Sequence, residues 1–274
     1  VTVVAPLADS PAQQAGIRSG DRILKVNGED TAKMTLTDAV GRIRGPKGSK
    51  VKLVILHDGE KSTVEIEVTR GDVKTVSVYS EMLPGAIAHV RISHFSRRTA
   101  EEMIAKLQEL RKGELKGIIL DLRDNPGGYL DITVDTASQF LKSGVVCFEV
   151  DAQGNRDVWR VKSGGLATDV PVAVLVNKGS ASGSEILAAS IQENGRGALI
   201  GEETFGKGEA QRQYDLGDGS AVAVTVSRWL TPKGNQIQGK GLAPDIEVKM
   251  TLEDFRAKGD IQLQRAVEYI DNGK

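Results

Sequence analysis

The chain has 274 residues, of which 39% are apolar and 27% are charged, proportions that are ordinary for a folded protein. Its formal net charge is −1, so no overall field favours binding to nucleic acid or to an anionic membrane surface. No apolar run reaches the roughly 18 residues that a membrane-spanning helix needs, and the single Cys147 excludes a disulfide within the chain.

The segment before about residue 70 consists of short predicted strands separated by turns. The dipeptides Asn27-Gly28 and Asp58-Gly59 are typical of tight hairpins between such strands. A short helix is predicted over residues 37–43, with Thr37 as its N-cap. These features indicate a small module with one helix beside its strands.

Beyond this segment the predicted elements lengthen, and strands alternate with helices. Residues 117–122 are almost wholly apolar, as expected for a strand that is buried on both faces. The alternation predicts an α/β fold with a mostly parallel core sheet. We therefore divide the chain into a module at 1–72, an α/β core at 73–250 and a helical tail at 251–274.

Two segments rich in glycine carry the residues best suited to catalysis. Ser182 lies between an apolar strand and a predicted helix, and Lys207 lies between Gly206 and Gly208 after a second apolar run. A serine hydroxyl is a weak nucleophile until a base removes its proton, and a lysine amine acts as that base only when burial favours its neutral form. The pair therefore suggests a hydrolase that attacks carbonyl carbons, with Lys207 buried beside Ser182.

Ser182 has a structural interpretation as well as a catalytic one. The stretch Ser182-Gly-Ser-Glu185 fits the S-x-x-E capping box that begins many helices. Ser180 and Ser184 also compete with Ser182 for the role of nucleophile. The place of Ser182 just before the helix favours it, because free amides and the positive end of the helix dipole stabilise a developing anion.

A nucleotide-binding loop and a nucleophile elbow fit the same segments less well. Gly201-x4-Gly206-Lys207 approaches a phosphate-binding loop, but Gly208 stands where that motif needs a serine or threonine to hold magnesium. Ser182 lacks the G-x-S-x-G pattern of an elbow, because serines occupy both glycine positions.

The chain has three histidines, His57, His89 and His94, so a Ser/His/Asp triad is a second possible catalytic arrangement. None of them has a matching acidic motif, and their positions lack metal-ligand spacing. We therefore expect no metal and no cofactor.

Five segments occur in one order along nearly the whole chain: AGIRSGDRILKVNG at 15–28, DLRDNPGG at 121–128, GSASGSEI at 179–186, GEETFGKG at 201–208 and TPKGNQIQGKGLAPDI at 231–246. Together they resemble the C-terminal processing proteases, tail-specific serine endopeptidases that carry a PDZ domain and a Ser/Lys dyad. The resemblance implies a PDZ-like module followed by an α/β core similar to crotonases and Clp proteases.

The resemblance also implies a role for each site residue. Ser182 would be the nucleophile and Lys207 the general base, with Gln211 holding the lysine amine. The amides of Gly128 and Gly183 would form the oxyanion hole, which needs two donors near the developing charge.

This chain departs from the family pattern in two places. The glycine-rich loop that binds a carboxylate in the PDZ module would precede Val1, and the N-terminal helical segment usual in the family is also missing, so we expect a truncated module without either. In addition, Gly183 stands where many relatives carry alanine, a change that keeps the backbone amide. The expected partners are proteins with accessible C-terminal tails, in an extracytoplasmic compartment, and a homo-oligomer is compatible with the full-length form. The alternative is an inactive PDZ-type scaffold that binds peptides.

Overall fold

The computed structural model describes residues 1–3, 6, 10–18, 20–72, 76–216 and 220–273. The chain forms two compact units, Val1–Thr75 and Val76–Lys274. The domain boundary predicted after residue 72 adjoins residues 73–75, which lie outside the described part of the chain. The predicted tail at 251–274 belongs to the same unit as the core.

The first unit is an antiparallel sheet with three short helical elements. In chain order it contains α1 (Pro11–Gln14), β1 (Arg22–Val26), β2 (Glu29–Asp30), a 3₁₀ helix (Thr31–Lys33), α2 (Leu36–Ile43), β3 (Lys50–Leu56) and β4 (Thr63–Thr69). The strand order is β2-β1-β3-β4. The predicted hairpin at Asn27-Gly28 is confirmed: both residues have positive φ, 51° and 87°, as the tight turn between β1 and β2 requires.

The predicted cap of α2 is wrong by two residues. Thr35 is the N-cap: its side chain accepts from the Asp38 amide at 3.1 Å, and the Asp38 carboxylate accepts from the Thr35 amide at 3.2 Å. This reciprocal box outcompetes a cap at Thr37, because it satisfies two backbone donors at once.

The second unit is built on a six-stranded sheet and a four-stranded sheet. In chain order it contains β5 (Val78–Leu83), β6 (Ile87–Ile92), α3 (Thr99–Leu110), β7 (Gly117–Asp121), α4 (Leu130–Ala137), β8 (Val145–Asp151), β9 (Arg156–Arg160), β10 (Val172–Val176), α5 (Gly183–Glu193), β11 (Gly197–Gly201), β12 (Glu209–Asp215), β13 (Ala221–Leu230), β14 (Ile246–Glu247), α6 (Leu252–Lys258) and α7 (Ile261–Asn272). The orders are β14-β11-β10-β7-β6-β5 and β12-β13-β8-β9.

The larger sheet is parallel except at the β5–β6 edge, which confirms the predicted α/β class. All five residues of β7 are buried, as the apolar run predicts. Ile118 and Leu120 join the core cluster that holds α3, α4 and α5, whereas Ile119 packs with Ala266 and Ile270 of α7. Helices therefore cover both faces of the sheet.

The parallel pairing brings three loops to one sheet edge. β7 pairs with β10 through Leu175 and Asp121, and β10 pairs with β11 through Val176 and Gly201. The carboxyl ends of the three strands consequently lie side by side, so the segments that follow them are neighbours in space. These segments contain Gly128, Ser182 and Lys207 respectively.

A buried charge network ties α7 to the end of β7. Arg123 donates to both carboxylate oxygens of Asp121, at 2.9 and 2.7 Å, and to Asp260, the N-cap residue of α7. His89 lies 3.1 Å from Asp121 and 2.9 Å from Glu81. Burial raises the pKa of Asp121, but the hydrogen bonds from His89 and Arg123 outweigh it and hold that pKa well below its usual range.

The same network predicts a pH-dependent contribution of His89 to stability. Burial lowers the pKa of His89, but its bonds to Asp121 and Glu81 outweigh burial and raise that pKa. A raised pKa in the folded state gives a stabilisation that is fully present below the ordinary histidine pKa and is lost as pH rises through the folded value.

We expect His89→Gln to lower the free energy of unfolding by about 1–2 kcal/mol at pH 5.5, the worth of a charge-assisted hydrogen bond, and by less at pH 9. Urea unfolding at both pH values measures the difference. A loss that is equal at the two pH values would contradict the raised pKa of His89. Glu81→Gln should cause a smaller loss with the same pH dependence, because it removes one of the two carboxylates that bond His89.

Candidate active site

Ser182 occupies a strained position at the start of α5. Its φ and ψ are 54° and −117°, in a region that residues other than glycine rarely adopt. Backbone strain of this kind persists only where surrounding contacts enforce it, and it is concentrated at functional sites.

The two competing serines are committed to the interior. The Ser180 hydroxyl donates to the Leu122 carbonyl at 2.8 Å, and the Ser184 hydroxyl donates to the Asn125 carbonyl at 2.9 Å. Both residues are fully buried, whereas Ser182 is half-buried. Ser182 is therefore the one of the three serines with access to solvent.

A glycine turn lies directly against Ser182. A methyl group at position 127 would lie 2.7 Å from the Gly183 nitrogen and 2.8 Å from the Ser182 Cβ, so only glycine permits this approach. A methyl group at position 183 would lie 3.5 Å from the Gly128 nitrogen and 2.6 Å from the Thr133 hydroxyl. The amides of Gly128 and Gly183 are thus close neighbours beside the serine, as an oxyanion hole requires.

The turn itself is held by the Asn125 side chain. Its amide group donates to the Ile92 carbonyl at 2.8 Å, and its oxygen accepts from the Gly127 amide at 2.9 Å. The Phe95 amide donates to the Gly127 carbonyl at 2.8 Å. These bonds, all on buried groups, fix the direction of the backbone that follows β7.

Lys207 lies in the loop between β11 and β12, and the prediction that its side chain is buried is wrong. The loop is anchored through backbone amides: Gly206 and Lys207 donate to Glu185, and Gly208 donates to Gln238. This anchoring leaves the Lys207 side chain exposed. In the part of the chain that the structure describes, its amine makes no hydrogen bond or ion pair.

Gln211 lies on β12, opposite Thr225 of β13, and its side chain is exposed. The chain becomes an extended strand at Glu209, two residues after Lys207.

Glu185 has contacts that the sequence did not suggest. Its carboxylate is fully buried and accepts four hydrogen bonds, from the Ser182 amide at 2.9 Å, the Lys207 amide at 2.8 Å, the Gly206 amide at 2.7 Å and the Thr204 hydroxyl at 2.5 Å. The capping box predicted the first of these. The other three come from a loop about twenty residues later, and no local pattern indicates them.

The histidines do not complete a triad with Ser182. His57 bonds to Asp21 at 2.8 Å in the first unit, and His94 lies 3.0 Å from the Ser93 hydroxyl. His89 is engaged in the network with Asp121 and Glu81. Within the described residues, no group of three His, Cys, Asp or Glu side chains is placed to hold a metal ion.

Two family models match the chain. Residues 86–248 match the model of peptidase family S41, and residues 2–56 match a PDZ domain model. The chain belongs to peptidase family S41. The resemblance predicted from the five sequence segments is therefore confirmed.

Two curated relatives of this S41 chain are the carboxyl-terminal-processing protease of Synechocystis and the carboxy-terminal processing protease CtpA of Bacillus subtilis. Each is 39% identical, over 99% and 93% of this chain. The chain spans 65% and 54% of their lengths. A solved structure, the photosystem II D1 C-terminal processing protease, is 34% identical with a TM-score of 0.59, and the match covers 90% of this chain and 67% of that one.

The close approach of Gly127 in the S41 site generates a test with a matched control. Gly127 and Gly154 both have positive φ, 94° and 84°, but a methyl group at 154 meets nothing within 4 Å. We expect Gly154→Ala to lower the free energy of unfolding by about 1 kcal/mol through backbone strain alone. Gly127→Ala should cost about 2–4 kcal/mol, because it adds overpacking against Ser182 and Gly183. Thermal unfolding measures the loss of stability in both variants. Equal losses would show that the close contact of position 127 with Ser182 and Gly183 adds nothing to the cost.

Proposed function

We propose that the chain is the catalytic part of a serine endopeptidase that cleaves proteins near their C-termini. The observation that carries the proposal is the convergence of three segments at one sheet edge: Ser182, the paired amides of Gly128 and Gly183, and the loop of Lys207. The reaction class is that of the two curated relatives, and the proposal assigns it to the serine hydroxyl, the lysine and the two amides of this site.

In the proposed reaction, the Ser182 hydroxyl attacks the substrate carbonyl while the Lys207 amine takes its proton. The amides of Gly128 and Gly183 donate to the resulting oxyanion. When the tetrahedral intermediate collapses, the Lys207 ammonium gives its proton to the leaving amine, and the serine stays acylated. A water molecule then attacks the ester, and its proton passes to the Lys207 amine before returning to the Ser182 oxygen.

The exposed side chain of Lys207 suggests that substrate completes the site. A peptide lying over the loop would exclude water from the amine and favour the neutral form that accepts a proton. We further propose that Gln211, on the strand that leaves this loop, bonds the amine once it is covered. The peptide would pair as an added strand, since backbone hydrogen bonds are independent of side chains.

The first unit supplies a binding site for the substrate tail in this proposal. It contains a cavity of about 530 Å³ whose lining is mostly apolar and comes from the strands, α1 and the end of α2. Ile43, the last residue of the helix predicted at 37–43, lines the cavity, and the exposed Arg44 follows it. An apolar C-terminal side chain would fill the cavity and its carboxylate would meet Arg44. Binding there would gate access of the tail to Ser182.

The proposed partners are proteins with accessible C-terminal tails, in an extracytoplasmic compartment. Nucleic acid is not a proposed partner, because the net charge is −1. None of the helices in the described ranges is both long and apolar enough to cross a bilayer.

The first test replaces the nucleophile and the base. We expect Ser182→Ala and Lys207→Ala to lower kcat for a fluorogenic peptide by about 10³-fold or more, because the two residues act as one unit. A fluorophosphonate should label Ser182 in the unaltered chain and fail to label the Lys207→Ala variant. Lys178→Ala, which removes an exposed lysine four positions before Ser182, is the control.

The alternative, an inactive scaffold, predicts a different result. An unaltered chain that binds tail peptides but neither cleaves them nor reacts with the fluorophosphonate would support the scaffold and overturn the peptidase.

The second test fills the cavity of the first unit. Ala12 lines it, so Ala12→Trp should raise KM about tenfold for a peptide with a free C-terminal carboxylate, and kcat should change little. Ala32→Trp, at an exposed position outside the lining, is the control. The peptide with an amidated C-terminus should bind both variants alike. If Ala12→Trp leaves KM unchanged, tail capture by this cavity is wrong.

A further inference from the structure

Glu185 connects the two segments that the proposed reaction brings together. One carboxylate oxygen accepts from the Ser182 and Lys207 amides, and the other accepts from the Gly206 amide and the Thr204 hydroxyl. All four donors belong to the loops of the nucleophile and the base. The capping box of α5 accounts for the Ser182 bond alone, so three of the four bonds lie outside the needs of the helix.

The support beneath Glu185 is rigid. It lies in the first turn of α5, where residues 183–191 are all buried. A side chain on such a helix cannot move without disturbing the core, so its carboxylate is a fixed reference point for both loops. The Thr204 hydroxyl extends the connection, because it also accepts from the Leu242 amide at 2.8 Å.

We propose that Glu185 is a positioning residue that fixes the backbone of Ser182 relative to the backbone of Lys207. It does not touch the substrate; it sets the separation across which the serine proton travels to the lysine amine. This inference rests on the proposed function, because the separation of Ser182 and Lys207 matters only if one is the nucleophile and the other is its base.

The chemistry requires a carboxylate at this position. A carboxylate accepts on both oxygens, whereas a glutamine amide presents one acceptor and one donor group. In Glu185→Gln the new N–H groups would face either the two amides on one oxygen or the amide and hydroxyl on the other, so at least one backbone donor would lose its partner. The loops would then separate, although the side chain keeps its size.

The central experiment compares Glu185→Gln with the unaltered chain. We expect kcat for the fluorogenic peptide to fall by about 100-fold, the effect of misplacing a reacting group by about 1 Å, while KM changes less than about threefold. The rate of fluorophosphonate labelling at Ser182 should fall in parallel with kcat. Glu193→Gln, at the other end of α5, is the matched control: one Glu193 oxygen accepts from the Thr231 hydroxyl and the Asn235 side-chain amide, and the other accepts from the Lys233 backbone amide.

The control separates positioning from folding. Glu193→Gln also replaces a carboxylate that anchors a backbone segment through both oxygens, so its melting temperature should fall as well, with kcat unchanged. If Glu185→Gln loses stability and keeps kcat, or if both variants lose kcat equally, the positioning role is wrong.

A second pair of variants keeps the test valid if Glu185→Gln does not fold. Thr204→Val removes the hydroxyl bonded to Glu185, and Thr204→Ser keeps it. We expect about a tenfold loss of kcat in the valine variant and near-normal kcat in the serine variant. Equal activity of the two would overturn the proposal.

The inference and the proposed function fail in distinguishable ways. An unaltered chain whose Ser182 resists the fluorophosphonate and which cleaves no peptide would defeat the proposed function. Labelling of Ser182 that needs Lys207 but persists at full rate in Glu185→Gln would defeat the positioning role alone.

Discussion

The parallel pairing of β7, β10 and β11 is the constraint on which the candidate site depends. Strands in one direction end at one edge, so three loops far apart in sequence start within a few ångströms of each other. The near-complete burial of these strands holds that edge still, because core packing on both faces leaves the register no freedom to slip. This rigid packing stabilises the strained backbone at Ser182 and the close contacts at Gly127.

The features that sequence predicted well are those set by neighbouring residues. The Asn27-Gly28 hairpin follows from backbone preference, the burial of 117–122 from an unbroken apolar run, and the start of α5 after Ser182 from the capping box. The family resemblance rested on the same kind of local pattern. Each of these has its cause within a few positions of the residue concerned.

The features that sequence missed depend on contacts between distant segments. Three of the donors to Glu185 come from a loop that only the fold brings near it, and the exposure of Lys207 depends on what packs over a loop rather than on the loop itself. The choice of Thr35 over Thr37 shows the same limit on a smaller scale, because two threonines offer similar patterns and the reciprocal bond to Asp38 decides.

The contact between positions 183 and 133 has a consequence for chimeras of this chain with its relatives. The Thr133 hydroxyl lies where a side chain at 183 would begin, and it is held there by a 2.9 Å bond to the Tyr129 carbonyl. A segment that brings alanine into 183 must therefore be grafted with a partner that vacates the space at 133. The two positions lie about fifty residues apart in different helices, so a crossover placed between them would separate a pair that has to be inherited together.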